Sequence, residues 1–255
     1  MTDRTALIRP VPDSFPLALV RHGRPDIDLG LARAQHREYR RVLEETAHVV
    51  HVVPTDEAHP DCVFIEDTAV IVGTVAIIAR IGAESRRGET PPVAEYLSRR
   101  FDIVEMRPPG TLDGGDVFLL DDVFYVGRSS RTNDDGIGQL RAIAHHQGFP
   151  VVTVDVEDAL HLKSAVLPID DETVVVTPRS VDESKLEGLR VLYEHDDERN
   201  RFSALPLDER TVLVTADAPV TAASVAAMGH AIVPLDVSEI QAADGGLTCM
   251  SIMLR

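Results

Sequence analysis

The chain has 255 residues, 44% hydrophobic and 26% charged, the mix of a folded globular protein and too apolar for wholesale disorder. Twenty-five Lys and Arg against 42 Asp and Glu leave a formal charge of −17, which argues against nucleic acid or an anionic membrane as main partner and suits a small cationic ligand. The first ten residues lack the apolar core of a secretory signal, and the longest apolar stretch, residues 68–82, is interrupted by Gly73 and too short to span a bilayer, so a soluble cytoplasmic protein is expected.

In chain order, residues 6–9 ahead of Pro10 read as a lone apolar strand. Leu31, Ala34, Val42 and Leu43 outline a first helix, and residues 49–53 a strand after it. Residues 63–65, a turn-like interruption and residues 75–79 then predict a hairpin ending at Arg80. Thr90 before Pro91 is an N-cap and first-turn signal for a helix with Val93, Leu97 and Phe101 on one face, followed by a strand over 103–106. A second hairpin spans 117–120 and 124–126 around Asp121-Asp122. Ile137, Leu140 and Ala144 mark a helix that closes near Gly148, with a strand over 151–154. Residues 165–169 and 173–176 flank Asp170-Asp171 as a third hairpin, trailed by a short helix over 185–189. Residues 203–205 and 211–214 form a fourth, then a helix over 221–229 and a strand over 231–235. Residues 249–254 supply a final strand.

The recurring unit is strand, hairpin, helix, strand, with a period of roughly 40 to 50 residues, the scale of radial or solenoidal repetition. The last hairpin has one strand only, and residues 6–9 resemble the second strands of the others. An α/β ring of about five units is therefore expected, the fifth assembled from both termini, in one domain over residues 1–255. A Rossmann reading fails because no Gly-rich phosphate loop follows a strand.

Polar residues gather at the entrance to each hairpin: Asp61, Glu66 and Asp67, then Asp113 and Asp116, then His161 and Lys163, then Asn200, then Asp244 and Cys249. In a ring such equivalent positions converge. Taken singly, each has a bland reading, since Asp116 suits a turn, Lys163 a structural charge and a carboxylate run a solvated face. Taken together they have chemical direction. A Cys within reach of a His can be a nucleophile, because the thiolate is the reactive form. Flanking carboxylates suit the planar donor face of a guanidinium. Cleavage of a C–N bond in an arginine-like substrate follows. The other cysteine, Cys62, reads as a core residue. Neither cysteine has metal-ligand spacing around it, and two so far apart make no disulfide framework.

The stretches PDCVFIED (60–67), SRRGE (85–89), TLDGGD (111–116), SRTN (130–133), LHLKS (160–164) and DGGLTCMS (244–251) resemble the dimethylarginine dimethylaminohydrolases of the guanidino-modifying, or pentein, superfamily. The resemblance runs over essentially the whole chain in order and spacing. It implies a five-bladed α/β propeller that hydrolyses Nω,Nω-dimethyl-L-arginine and Nω-monomethyl-L-arginine to citrulline. By motif, it implies Cys249 as nucleophile, His161 as general acid and then general base, and a covalent S-alkylthiouronium between them. Asp113 would support the site and orient His161. Asp61, Glu66 and Asp67 would line the substrate pocket, with Asp67 the guanidinium partner, and Arg86 and Arg131 would take the α-carboxylate. On a mobile N-terminal loop, residues 14–25, the carbonyl of Leu19 (or of its neighbour Val20) would meet the substrate amine together with that of Ala243, beside Asp244.

No cofactor or metal is required, although a thiolate beside a His can take up zinc adventitiously. The partner is a small methylated arginine, with no nucleic acid and no membrane, and a homodimer is one assembly the analogy allows. Two alternatives stay open. One is an arginine deiminase-like or other guanidine hydrolase. The other is a non-enzymatic propeller that binds a partner, against which Cys249, His161 and both arginines speak.

Overall fold

Among the residues that the computed structural model describes (4–23, 25–46, 48–198 and 201–254), the strands form five three-stranded sheets. The first elements are β1 (Arg4–Ile8), α1 (Leu29–Glu45), β2 (His48–Val52), β3 (Ala69–Val72), β4 (Val75–Ile78), α2 (Pro91–Leu97) and β5 (Asp102–Glu105). Then come β6 (Val117–Leu120), β7 (Val123–Arg128), α3 (Asp134–His146), β8 (Val151–Asp155), β9 (Val166–Pro168), β10 (Thr173–Val176) and β11 (Arg190–Tyr193). The last are β12 (Ala204–Pro206), β13 (Thr211–Thr215), α4 (Pro219–Ala226), β14 (Ala231–Leu235), α5 (Ser238–Ala242) and β15 (Ser251–Leu254). No helix among the described residues is long and apolar enough to cross a membrane.

Every sheet follows one recipe: an antiparallel pair, then a crossover to a third strand parallel to the middle one. A parallel step needs a crossover connection, which is why a helix or helical turn precedes each third strand. β4 (VAII) and β10 (TVVV), both middle strands, are buried on both faces, so they read as apolar runs, with only Thr173 polar, rather than as alternating ones. Third strands carry the exposed edge; β5 and β11 have no fully buried residue.

The described residues divide into two compact units. The first comprises the chain up to Ile65 and from His195 onward. It contains the sheet β12-β13-β14 and the sheet β15-β1-β2, in which β15 from the end of the chain pairs antiparallel with β1 from its start. The expected sharing of one sheet by both termini holds. The helix α1 covers this unit's core. Asp28 caps it by accepting the Leu31 N–H at 3.0 Å, and Ala32, Gln35, His36, Tyr39, Val42 and Leu43 form its buried face. Leu31, expected on that face, is exposed because the apolar stripe starts one residue later. The second unit, residues 66–194, holds the sheets of β3-β4-β5, β6-β7-β8 and β9-β10-β11.

Three expected elements differ from the observed ones. Residues 63–65 are not the first hairpin strand. That strand is β3, which turns tightly through Gly73 (φ +57°) into β4 and leaves Glu66 and Asp67 in a 3-10 turn ahead of it. The 185–189 helix shrinks to the turn Glu183–Leu186, closed before Gly188 (φ +93°), and the exposed strand β11 follows it. The helix over 91–101 ends at Leu97, with Phe101 beyond its last turn.

Candidate active site

The hairpin entrances carry 3-10 turns, and these present the polar residues. In the second unit the turns are Ile65–Thr68 ahead of β3, Gly114–Asp116 ahead of β6 and Leu162–Ser164 ahead of β9. They bring Asp67, Asp113 and His161 together. His161 Nε2 lies 3.0 Å from Asp113 Oδ2 and 3.9 Å from Asp67 Oδ1. All three are buried, and Asp113 is fully so. The second oxygen of Asp113 accepts the Gly82 N–H at 2.7 Å, so its carboxylate is held from both sides.

The DGG run supplies room as well as charge. A Cβ on Gly114 would lie 2.0 Å from the Glu66 carbonyl oxygen. One on Gly115 would lie 2.8 Å from both Asp67 Oδ1 and His161 Nδ1. Only glycine lets the backbone pass there, and the Gly115 N–H uses the approach to donate to Asp67 Oδ1 at 3.0 Å.

Charge in this cluster is arranged to keep His161 protonated. Burial opposes its positive charge, but Asp67, the hydrogen bond it donates to Asp113 and the charge of Asp116 outweigh it and push its pKa up to about 9. Asp67 shows the reverse balance. Burial favours its neutral form, yet His161 and Arg86 hold it down to about 2. Arg86 is itself buried: its Nε and Nη2 fork onto Glu89 at 2.9 Å each, and Nη1 reaches Asp67 Oδ2 at 2.7 Å. Arg131 is less committed. Its Nη1 is buried, has no hydrogen-bond partner and lies 4.0 Å from Asp113 Oδ2. Glu66 Oε1 accepts from Lys163 Nζ at 2.6 Å, an ion pair tying the turn of Asp67 to that of His161.

Asp67, Asp113 and His161 each offer a ligand atom within 4.8 Å of the others. Each carboxylate oxygen already accepts one hydrogen bond, Asp67 from Gly115 and Arg86 and Asp113 from Gly82 and His161.

In the first unit, Cys249 is half-buried in the turn Thr248–Met250 ahead of β15, and its Sγ accepts the Gly246 N–H at 3.3 Å. A sulfur anion accepts such a bond more strongly than a thiol. Just upstream, α5 ends in a Schellman motif: Gly245 N–H bonds the Ile240 carbonyl and Asp244 N–H the Gln241 carbonyl. Asp244 therefore sits at φ +59°, a conformation glycine usually fills. Its carboxylate accepts the Arg21 N–H, and Asp61 accepts the Leu19 N–H at 3.0 Å. Glu57 accepts the Ser14 N–H at 3.1 Å. Three carboxylates thus hold the backbone of the N-terminal loop, with Leu19 exposed and Ala243 buried. Cys62 is a buried core residue, and neither cysteine is in a disulfide. Asn200, expected at the fourth hairpin, lies outside the described residues, as does Arg24 of the loop.

Sequence reasoning passed over Glu89, Ser129 and Thr132. Glu89 stood three residues after Arg86, the spacing of an ion pair on one helical turn, and is fully buried. Ser129 and Thr132 tie the Arg131 loop to Asp116, described below.

Comparison with known proteins places these motifs in context. A family model described as "N,N dimethylarginine dimethylhydrolase, eukaryotic" matches residues 24–213. The N(G),N(G)-dimethylarginine dimethylaminohydrolase of Streptomyces coelicolor is 39% identical, covering 100% of this chain and 98% of its own. That of Pseudomonas aeruginosa is 33% identical over 90% of each. A solved structure of the Pseudomonas aeruginosa enzyme, a C249S mutant complexed with citrulline, superposes with a TM-score of 0.95 at 30% identity over 100% of both chains. The fold is that of the penteins, as the repeat and the motifs imply.

Proposed function

This chain belongs to the N,N dimethylarginine dimethylhydrolase family, and from that membership we propose that it hydrolyses Nω,Nω-dimethyl-L-arginine to L-citrulline and dimethylamine, and the monomethyl substrate likewise. The observation that carries the reading is a buried His161 whose Nε2 lies 3.0 Å from Asp113 and 3.9 Å from Asp67, two carboxylates that favour its cationic form. A general acid that must protonate a departing amine needs that charge before the reaction starts.

The steps follow from the groups available. The guanidinium of the substrate, a planar cation, is held by carboxylates, with Asp67 its principal partner beside Asp61 and Glu66. The Cys249 thiolate adds to the guanidinium carbon, forming the C–S bond. The C–N bond to the dimethylamino group breaks as that nitrogen takes the proton of His161, leaving an S-alkylthiouronium and a neutral imidazole. The imidazole then removes a proton from water, whose oxygen attacks the same carbon. The C–S bond breaks, the thiolate returns beside the now protonated His161, and the remaining hydroxyl proton passes to solvent as citrulline leaves. The unpartnered Nη1 of Arg131 is a donor in hand for the α-carboxylate, with Arg86 the second arginine of the motif. The carbonyls of Leu19 and Ala243 take the α-ammonium, and Asp244 holds the loop bearing Leu19.

The test is citrulline release from dimethylarginine, monomethylarginine and arginine side by side, with Cys249→Ser as control. Release from the methylated substrates that vanishes in the variant is expected. Turnover of arginine alone would move the protein to a deiminase reading, and full activity in Cys249→Ser would refute the covalent route.

A further inference from the structure

Asp116 closes the DGGD run, yet the proposed reaction gives it no role. It is fully buried, and both oxygens are engaged. Oδ1 accepts the Leu162 N–H at 2.8 Å and Oδ2 accepts the Ser129 hydroxyl at 2.6 Å, with the Thr132 hydroxyl a third partner. The Ser129 oxygen in turn accepts the N–H groups of Arg131 at 3.0 Å and Thr132 at 3.2 Å. Thr132 Oγ1 accepts the Asp113 N–H at 3.1 Å. Room for this carboxylate is kept by Gly127, where a Cβ would lie 2.6 Å from Asp116 Oδ1 and 2.8 Å from the Leu162 side chain.

One carboxylate therefore joins three segments. Through Leu162 it holds the residue next to His161. Through Ser129 it holds the backbone of Arg131. Through Thr132 it holds the backbone of Asp113. A local turn needs no such group, because a buried carboxylate carries a desolvation cost that a neutral amide avoids. The charge has a use here: burial raises Asp116 to about 6, so at neutral pH it remains one of the three anions, with Asp67 and Asp113, that favour the protonated form of His161. Of the cations in the same neighbourhood, Arg86 is tied to Asp67 and Glu89 and Lys163 to Glu66, while Arg131 Nη1 stands 4.0 Å from the Asp113 oxygen that bonds His161.

We propose that Asp116 is a positioning residue, which through the Leu162 N–H and the Ser129 hydroxyl fixes His161 and Arg131 in one frame and adds its charge behind the imidazole. The inference rests on the roles given above to His161 as proton carrier and Arg131 as carboxylate donor.

Two variants separate the two arms. Asp116→Asn keeps the shape and removes the charge; the His161 imidazole, followed by NMR, should titrate about one pH unit lower, and the alkaline limb of kcat should move down with it. Ser129→Ala keeps the carboxylate in place and frees the Arg131 loop. It should raise KM for dimethylarginine about tenfold, the loss of roughly one good hydrogen bond. KM for a dimethylguanidine without a carboxylate should stay put, and Ser129→Thr should restore the wild-type values. A scaffold role alone would lower thermal stability without this split. An unchanged His161 midpoint in Asp116→Asn, or equal KM losses for both substrates in Ser129→Ala, overturns the proposal. Should Asp116→Asn not fold, the Ser129 pair decides it. If wild-type protein turns over no methylated arginine, the proposed function fails, and the NMR midpoints still judge Asp116.

Discussion

Replacing Asp113 by Asn tests whether its carboxylate acts through charge or only through orientation. Its Oδ2 lies 3.0 Å from His161 Nε2 in a buried setting, and an opposite charge at that range favours the protonated imidazole by about 1–3 pKa units. Taking about two units, His161 would fall from about 9 to about 7. At pH 8 the protonated fraction then drops from about nine-tenths to about one-tenth, whereas at pH 6 it stays above about nine-tenths in both proteins. Any misorientation caused by the amide reduces the rate equally at both pH values. The expected signature is therefore a variant-to-wild-type ratio of kcat about tenfold lower at pH 8 than at pH 6, read from initial rates of citrulline release. A ratio that is the same at both would show that Asp113 orients His161 without supporting its charge, and the electrostatic reasoning would be refuted.

Other expectations follow from the same geometry. Gly115→Ala places a methyl 2.8 Å from both Asp67 Oδ1 and His161 Nδ1 and should cost 1–3 kcal/mol of stability together with most of the activity, seen by denaturant titration and rate assay. Asp244→Gly relieves the left-handed backbone and removes the acceptor for Arg21; stability should hold or rise by about 0.5–1 kcal/mol while KM worsens, and unchanged KM would deny the loop contact a role. His161 has a folded pKa near 9, above its ordinary 6.5. Its stabilising contribution of about 3 kcal/mol is then fully present below about pH 6.5 and lost as pH rises through 9. Wild-type stability should show that decline between pH 6.5 and 9.5, and His161→Asn should flatten it.

The repeat was legible because the middle strands are largely buried on both faces and so mostly apolar, as in residues 75–78 and 174–176. Third strands were harder to see. With β11 exposed at its edge, Arg190 and Tyr193 carry no burial pattern, and the segment before it imitates a helix. The first hairpin was misplaced because 63–65 and 69–72 are equally apolar, and only the tight turn at Gly73 chooses between them. Within the site, residue types announced the chemistry but not the pairing. Motif alone assigned Asp113 to His161, while no pattern indicated that Asp113 also takes the Gly82 N–H or that Asp244 adopts φ +59°. Such contacts depend on turns far apart in sequence meeting in space, which hydrophobic periodicity does not encode.

The two arginines of the motif show where geometry adds most. Sequence treats Arg86 and Arg131 as one clamp, but their surroundings differ in kind. Arg86 forks onto Glu89 and reaches Asp67, and all three are buried, so its charge neutralises two carboxylates that would otherwise be stranded. Removing one member of such a group leaves an uncompensated buried charge, a loss of 3–5 kcal/mol. Arg131 strands much less, since its Nη1 has no hydrogen-bond partner and is 4.0 Å from the nearest Asp113 oxygen. A substrate carboxylate would complete Arg131 and would have to compete for Arg86. Arg131→Gln should therefore raise KM for dimethylarginine at least about tenfold, the worth of one charge-assisted hydrogen bond, with little change in Tm. Arg86→Gln should lower Tm by several degrees before any effect on substrate is considered. Thermal melts beside KM values for substrates with and without the carboxylate separate the two. If Arg86→Gln keeps its Tm and loses only carboxylate substrates, Arg86 is a clamp residue after all, and the Glu89 fork must open to admit the substrate.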